Sequence, residues 1–236
     1  MPMKDLLIGL IEDEQKEEER LEATLSEKEL EVSNTYEDWS AKDTIAHIAD
    51  WMRGEAVKLS GDDGDAATYG SIDEKNKALF ERYKDKSWEE IRQISADAAA
   101  LLKSQIMART EEEIGAPHGD SDSRNRPVWR RAAGYGVLHP VSHIGHIYAR
   151  RRDFEYAIAL HEKFIDKLQD LNRSEEAWQG TLSYDLACIN ALAGKKLEAV
   201  DKLRESLRLE PYLVEWSKKD PDLASLRGMD EYKSIY

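Results

Sequence analysis

Apolar residues recur along the chain at the three- and four-residue spacing of amphipathic helices, and no long stretch alternates apolar and polar positions. Six residues at this spacing predict the first helix: Leu6, Leu7, Leu10, Ile11, Leu21 and Leu25. We interpret the acidic run at 12–19 as the solvated face of this helix. Since β-branched residues are also sparse, the pattern predicts an all-α protein.

Two further helices are predicted from their capping residues. Ser40 is followed three positions later by Asp43, and Ser87 by Glu90, which is the spacing of a capping box. The apolar residues that continue these two helices are Ile45, Ile48, Trp51 and Met52 in one, and Ala98, Leu101, Leu102 and Ile106 in the other. Both segments are therefore expected to be long helices.

Turn-forming residues dominate 60–71 and 115–127, which we interpret as loops. Helical spacing returns after the second loop, in "VWRRAAGYGVLHPVSHIGHIYARRR". Gly134, Gly136 and Pro140 predict that this helix is interrupted, because proline fits the first turn of a new helix or kinks a longer one. Four long helices within about 150 residues predict a helical bundle.

The negative charge of the chain limits the kinds of partner that it is expected to bind. The sequence has 236 residues, with 34 basic and 48 acidic side chains, which gives a formal net charge of −14. Nucleic acid and anionic membrane surfaces would both be repelled, so we expect neither as a partner.

Cysteine usage and the amino-terminal sequence give the expected compartment. Cys188 is the single cysteine, so an intrachain disulfide is excluded and we expect no Cys-based zinc site. The start of the chain turns acidic after eleven residues and resembles neither a signal peptide nor a membrane span. We therefore expect a cytoplasmic protein.

Three of the six histidines fall at 139–146. His139 and His143 are four residues apart, so on a helix their imidazoles could bind one ion. His47 lies upstream between Ile45 and Ile48, where a charged ring would be costly without a partner. The three histidines would suit zinc, nickel or a similar ion and leave a fourth position for water or substrate.

The same histidines have a plainer interpretation. An HxxxH pair in a helix is often a surface or packing pair, and a single histidine on an apolar face is often satisfied by an ordinary hydrogen bond. Asp50, three residues after His47, is either a proton acceptor near the ion or a surface carboxylate. Spacing alone leaves these alternatives open.

Two motifs resemble the DinB-like superfamily, which includes bacillithiol- and mycothiol-linked transferases and ClbS/DfsB-type self-protection proteins. The family has a tryptophan, a short link and a helix with a histidine, and it ends its bundle with an HxxxH pattern. This chain has "WSAKDTIAHIADW" and "HPVSHIGHI", within 1–151. Pro140 departs from the usual pattern, and His146 stands where the family often has glutamine.

The resemblance implies a four-helix bundle with a divalent metal ion at one end. His47, His139 and His143 match the metal-binding histidines of the family. It further implies a small-molecule substrate, with transfer of a low-molecular-weight thiol or opening of a small reactive molecule. Bundles of this kind often pair, so a homodimer is consistent with it.

A second module is predicted at 152–236. The segment at 184–211 resembles a tetratricopeptide repeat (TPR), and seven residues stand at its signature positions: Leu186, Ala187, Gly194, Ala199, Leu203, Ser206 and Pro211. Small residues would let two antiparallel helices approach, Gly194 would make the turn, and Pro211 would end the second helix. The resemblance implies a TPR-like helical hairpin that docks a protein partner or self-associates.

The segments before and after this hairpin also resemble parts of a repeat protein. Gly145, Tyr148 and Ala157 have the separations of a partial earlier repeat, so Tyr148 is expected to pack rather than to meet a substrate. The final segment, "DPDLASLRGMDEYKSIY", resembles the tail that covers the last repeat. Cys188 is then a small buried residue rather than a reactive thiol.

Three functions remain open from the sequence. The first is a metal-dependent transferase or hydrolase that acts on a small electrophile or transfers a thiol. The second is a non-catalytic scaffold whose TPR-like module docks a partner. The third is a stress-response protein that sequesters a small toxic molecule in the bundle.

Overall fold

A computed structural model describes residues 2–61, 69–117 and 124–236. These residues form helices joined by turns, and no β-strand occurs among them, which confirms the predicted all-α class. Much of each predicted loop, 62–68 and 118–123, lies outside the described residues. No helix in the described ranges has both the length and the apolar character needed to cross a membrane.

Thirteen α-helices occur in the described residues: α1 (Met3–Glu22), α2 (Glu27–Glu31), α3 (Ala41–Leu59), α4 (Ile72–Tyr83), α5 (Trp88–Met107), α6 (Glu111–Gly115), α7 (Val128–Ala133), α8 (His139–Arg150), α9 (Phe154–Leu168), α10 (Glu176–Leu192), α11 (Lys196–Leu209), α12 (Val214–Ser217) and α13 (Asp230–Lys233). A π-helix, Gly134–Leu138, joins α7 to α8. Short 3-10 helices occupy Gln169–Leu171, Pro211–Leu213 and Pro221–Leu226.

The chain divides into two compact units, Met1–His143 and Ile144–Tyr236. The sequence predicted a boundary after residue 151, at the end of the histidine-bearing helix. The structural division falls inside α8 instead, so this helix contributes residues to both units.

The first unit is organised around α3, which packs against α4 and α5, while α1 packs against α5 and α7. Both predicted capping boxes are present: Ser40 with Asp43 begins α3, and Ser87 with Glu90 begins α5. These caps satisfy backbone N–H groups that have no partner within the helix. Both long helices therefore start where the sequence predicted.

A buried ion pair links α3 to α7. Arg131 Nε lies 2.8 Å from Glu55 Oε1, and Arg131 Nη2 donates to Glu55 Oε2 at 2.9 Å. Both side chains are almost fully buried, and a two-point guanidinium–carboxylate contact fixes orientation as well as distance. It holds α3 beside the segment that leads into α8.

The acidic run of α1 is not simply a solvated face, so that interpretation was wrong in part. Glu14 is 0% exposed and Glu17 is 4% exposed, and both point into the unit with Leu7, Leu10 and Ile11. The helix also ends at Glu22, before Leu25, which the sequence had assigned to its stripe. The spacing of the apolar residues predicted the apolar stripe of α1, but it did not predict that Glu14 and Glu17 are buried beside that stripe.

The helix predicted to be interrupted near Pro140 continues through a π-helical turn instead. Gly134–Leu138 form this turn, and Pro140 is the second residue of α8. A Cβ on Gly136 would lie 2.6 Å from a Leu102 side-chain carbon, so the missing side chain lets the π turn pack closely against α5. A π turn inserts one extra residue per turn and rotates everything that follows it.

The second unit contains the predicted helical hairpin, formed by α10 and α11. Gly194 has φ +79°, the left-handed conformation that glycine adopts at a turn, and Pro211 follows the end of α11. Ala187, Ala199 and Ser206 are completely buried between the helices. The final segment places Leu223, Leu226 and Tyr232 in the same apolar cluster, as a covering tail would.

A glycine of α8 packs against a buried histidine of α9. A Cβ on Gly145 would lie only 2.1 Å from Nε2 of the buried His161, whose Nδ1 contacts Asp185 Oδ2 at 2.5 Å. Tyr148 is 4% exposed and its ring lies 4.4 Å from that of Tyr156, so it packs as predicted.

Candidate metal centre

The structure brings together the three histidines that the sequence singled out. His47 lies in the middle of α3, and His139 and His143 lie one turn apart at the start of α8. Their candidate ligand nitrogens all lie within 4.8 Å of one another. We call this group the histidine triad.

Two separations between ring nitrogens of the triad match those of ligands around one ion. His139 Nε2 lies 3.1 Å from His47 Nε2 and 3.1 Å from His143 Nε2. Zinc–nitrogen bonds of about 2.0–2.1 Å would place two nitrogens about 3.3 Å apart in a tetrahedral site and about 2.9 Å apart in an octahedral one. The observed separations fall between these values.

The histidines reach this arrangement through the π turn and the start of α8. His139 is the first residue of α8, and its backbone N–H donates to the carbonyl of Gly134, the bond that closes the π turn. Pro140, which has no N–H, follows where the hydrogen-bond pattern changes. Pro140 is therefore accommodated without removing His139 from the triad.

Burial keeps the His47 ring neutral. The residue is 6% exposed, and burial, together with the charges of His143 and Lys75, lowers its pKa to about 2. A metal ion binds the neutral imidazole, so no proton must leave His47 before it can act as a ligand. Its Nδ1 has no hydrogen-bond partner among the described residues.

Aromatic rings surround the triad. The centroid of the Trp39 ring lies 4.7 Å from that of His47, and Trp51 lies 6.0 Å from His139. Tyr135, in the π turn, stacks on Trp51 with an interplanar angle of 8°. These rings limit water around the histidines, which strengthens electrostatic interactions there.

Two residues of α4, one cationic and one with a side-chain amide, contact the Trp51 ring beside the triad. Lys75 Nζ lies 3.4 Å from the centroid of the Trp51 ring, and burial lowers the pKa of Lys75. Asn76 Oδ1 accepts a hydrogen bond from Trp51 Nε1 at 3.2 Å. Neither residue was predicted from the sequence, because the apolar spacing did not reveal α4, although Ser71 caps this helix by accepting a hydrogen bond from the backbone N–H of Glu74.

Asp50 is buried and held by α4. Its Oδ1 accepts hydrogen bonds from Tyr83 Oη at 2.9 Å and from Arg82 Nη1 at 3.3 Å. At 9% exposure it is not the surface carboxylate that was the plainer interpretation. Its role as a proton acceptor stays a prediction.

A small cavity of about 10 Å³ lies beside His47. Trp39, Asn76, Phe80 and Tyr83 line it together with His47. A cavity needs about 10–15 Å³ to hold one water molecule, so this one admits no more than a single water.

His146 has a different environment from the triad. Its Nε2 lies 3.1 Å from Asp222 Oδ2, within the second unit. Burial opposes a charge on this ring, but the hydrogen bond and the charge of Asp222 outweigh burial and raise the pKa of His146. The structure therefore gives His146 a carboxylate partner.

Comparisons of this chain with known protein families, with curated proteins and with solved structures found no match. The geometry of the chain's own residues is therefore the basis for its proposed function.

Proposed function

We propose that this chain is a divalent-metal-dependent protein of the DinB-like type, which acts on a small reactive molecule or transfers a thiol to it. His47, His139 and His143 would bind the ion, with zinc or nickel as the expected metal. The observation that carries the proposal is the convergence of three Nε2 atoms, with two separations of 3.1 Å.

The chemistry follows from an ion with three neutral ligands and an open position. Such an ion lowers the pKa of a bound water or thiol and polarises a substrate oxygen. The histidines contribute no negative charge, so the ion would keep its full charge for this purpose. Trp39 and Trp51 would exclude bulk water from the open side.

The surroundings of the triad offer polar groups to a small substrate. Lys75 adds a positive charge next to Trp51. Trp39 Nε1 is buried and has no hydrogen-bond partner among the described residues, so it could donate to an acceptor atom of the substrate. Asp50, oriented by Tyr83 and Arg82, would accept a proton released by the nucleophile.

Elemental analysis of purified protein from metal-supplemented cells tests the site. The His143→Ala variant should lose one equivalent of metal relative to wild type, because it removes one ligand of the triad. Asp50→Asn is the matched control: it should keep the metal, since its carboxylate is held by Tyr83 and Arg82. Equal metal content in wild type and His143→Ala would overturn the metal site.

Turnover tests the reaction class. A small chromogenic electrophile is offered to metal-loaded protein with either water or free cysteine as the nucleophile. Wild type should turn it over faster than His143→Ala, and Asp50→Asn should slow turnover while keeping the metal. Faster turnover with cysteine supports thiol transfer, and turnover by water alone supports hydrolysis. Equal rates in wild type and His143→Ala would contradict the catalytic role.

A non-catalytic docking function is the second candidate, and exposed aromatic residues of the second unit favour it. Tyr212 and Trp216 are 70% and 48% exposed, and tyrosine and tryptophan are enriched in protein interfaces. If this surface mediates self-association, sedimentation of wild type should show a concentration-dependent dimer that the Tyr212→Ala/Trp216→Ala double variant loses. A monomer in both would count against it.

A further inference from the structure

A second group of possible metal ligands lies within the second unit, apart from the histidine triad. Cys188 lies on α10, and Asp220 and Asp222 lie in the segment after α12. The Cys188 sulfur and one carboxylate oxygen from each aspartate all lie within 4.8 Å of one another. We call this group the thiol–carboxylate trio.

The trio combines donors that borderline divalent ions accept. Zinc binds thiolate sulfur and carboxylate oxygen, as well as imidazole nitrogen. The Cys188 sulfur lies 3.9 Å from Asp220 Oδ2, a weak contact for a thiol. Sulfur and oxygen donors that converge from two parts of the chain distinguish this group from a plain acidic surface patch.

Neighbouring groups hold the two carboxylates in place and leave lone pairs available. Tyr184 Oη donates to Asp220 Oδ2 at 2.7 Å, and the backbone N–H of Asp222 donates to Asp220 Oδ1 at 3.0 Å. His146 Nε2 lies 3.1 Å from Asp222 Oδ2. A carboxylate offers about four lone-pair directions, so each oxygen keeps capacity for a metal ion.

The surroundings of Cys188 are negative and only partly closed. Burial, followed by the charges of Asp220, Asp222 and Asp185, raises the pKa of the Cys188 thiol well above its ordinary value. Arg227 donates to the backbone carbonyl of Asp220 rather than to its carboxylate. The Asp222 side chain is 24% exposed, which gives an ion a path from solvent.

From this arrangement we infer that Cys188, Asp220 and Asp222 form a second divalent-metal site, suited to zinc or a similar thiophilic ion. His146 is a positioning residue that orients Asp222. When the ion binds, the sulfur–metal bond forms and the thiol proton leaves to solvent. The ion would tie the covering tail to α10 beside the apolar cluster of Leu223 and Leu226.

Cobalt(II) titration of the full-length protein tests this site. Cys188 is the only cysteine in the chain, so a thiolate-to-cobalt charge-transfer band can arise from this site alone. Wild type should develop the band until one equivalent is bound there. The Cys188→Ser variant should show no band, and Asp222→Asn should bind at least about tenfold more weakly.

Two further variants make the result decisive. His143→Ala should keep the band, which separates this site from the histidine triad. His146→Gln should keep the band but weaken binding less than Asp222→Asn does, because His146 acts through Asp222. Absence of the band in wild type, or an unchanged band in folded Asp222→Asn, would overturn the proposal. Circular dichroism checks that each variant folds.

Discussion

The histidine triad and the thiol–carboxylate trio differ in the charge that their ligands carry before any ion binds. The triad consists of imidazoles, and burial keeps His47 neutral among aromatic rings. The trio contains two carboxylates, which are stabilised by Tyr184 and His146. Neutral ligands can therefore be buried against apolar rings, whereas anionic ligands need donors around them even in the absence of metal.

The largest effect is expected for a substitution that weakens zinc binding at the histidine triad and leaves the thiol–carboxylate trio unchanged. His139 Nε2 lies 3.1 Å from the Nε2 atom of each of the other two triad members. His139→Ala should lower the affinity of the first unit for zinc by more than about 100-fold, since loss of an outer-shell partner alone costs about 10–100-fold.

Competition with a chromogenic zinc chelator measures this change. The thiolate–cobalt band of Cys188 serves as the internal control and should be unaffected. Loss of both signals in a folded variant would contradict the independence of the two groups.

The next largest effect is a loss of stability, which we expect from a substitution in the interior of the second unit. Gly145→Ala would place a Cβ 2.1 Å from His161 Nε2, and the ring cannot easily move because Asp185 contacts its other nitrogen. Overpacking of this kind destabilises by about 1–3 kcal/mol. Urea unfolding should show the loss.

Gly54→Ala is the matched control, in the helix that carries His47. A Cβ there meets nothing within 4 Å, so the change should stabilise the chain by about 0.5–1 kcal/mol. Equal unfolding midpoints for the two variants would show that Gly145 is not required for close packing.

The pH dependence of the first unit comes from α1 rather than from the triad. Burial raises the pKa of Glu14 well above 4.5, and burial raises that of the nearby Glu18 to about 7. The folded chain thus holds protons that the unfolded chain releases, so stability should fall as pH rises from about 4.5 to about 7 and beyond.

Glu14→Gln should flatten this decline. A gain in stability is expected at pH 8, where the unfolded chain ionises Glu14 and burial opposes its ionisation in the folded chain, and little gain is expected near pH 4. Thermal unfolding across this range measures the difference. Glu19→Gln, at an exposed position of the same helix, is the control. Parallel pH profiles for wild type and Glu14→Gln would refute this assignment.

The smallest expected effect concerns the cation beside the triad. Lys75 lies over Trp51, and its charge acts on His47, so it should also repel a bound ion. Lys75→Met should raise zinc affinity by about threefold to tenfold, the range that roughly 1 kcal/mol of screened repulsion gives. Lys77→Met removes an equal charge from an exposed position and should change affinity less. Calorimetric titration that found no difference between the two would argue against a role for Lys75.

Local signals explain what the sequence predicted. Ser40 with Asp43 and Ser87 with Glu90 fixed two helix starts, because a cap and its partner lie within one turn. The four-residue spacing of His139 and His143 likewise depends only on helix geometry. His47 was predicted to be the third ligand because a histidine on an apolar face needs a partner.

Tertiary contacts explain what the sequence did not predict. Helix α4 buries only Leu79 and Tyr83, so its apolar stripe is too short to stand out, and Lys75 and Asn76 were missed with it. The π turn depends on the close approach of Gly136 to α5. Glu14 lies in a charged run and is therefore predicted to be a surface residue, and only the packing of α1 shows that it is buried.

Calorimetric titration of zinc into the Cys188→Ser chain, with and without His47→Ala, tests the central claim most directly. His47 is separated from His139 by 92 positions in the sequence, so it can contribute to binding only if the fold brings α3 and α8 together. The account predicts one tight site in the Cys188→Ser chain and its loss when His47 is also replaced. Equal affinity with and without His47 would show that the three imidazoles do not share an ion.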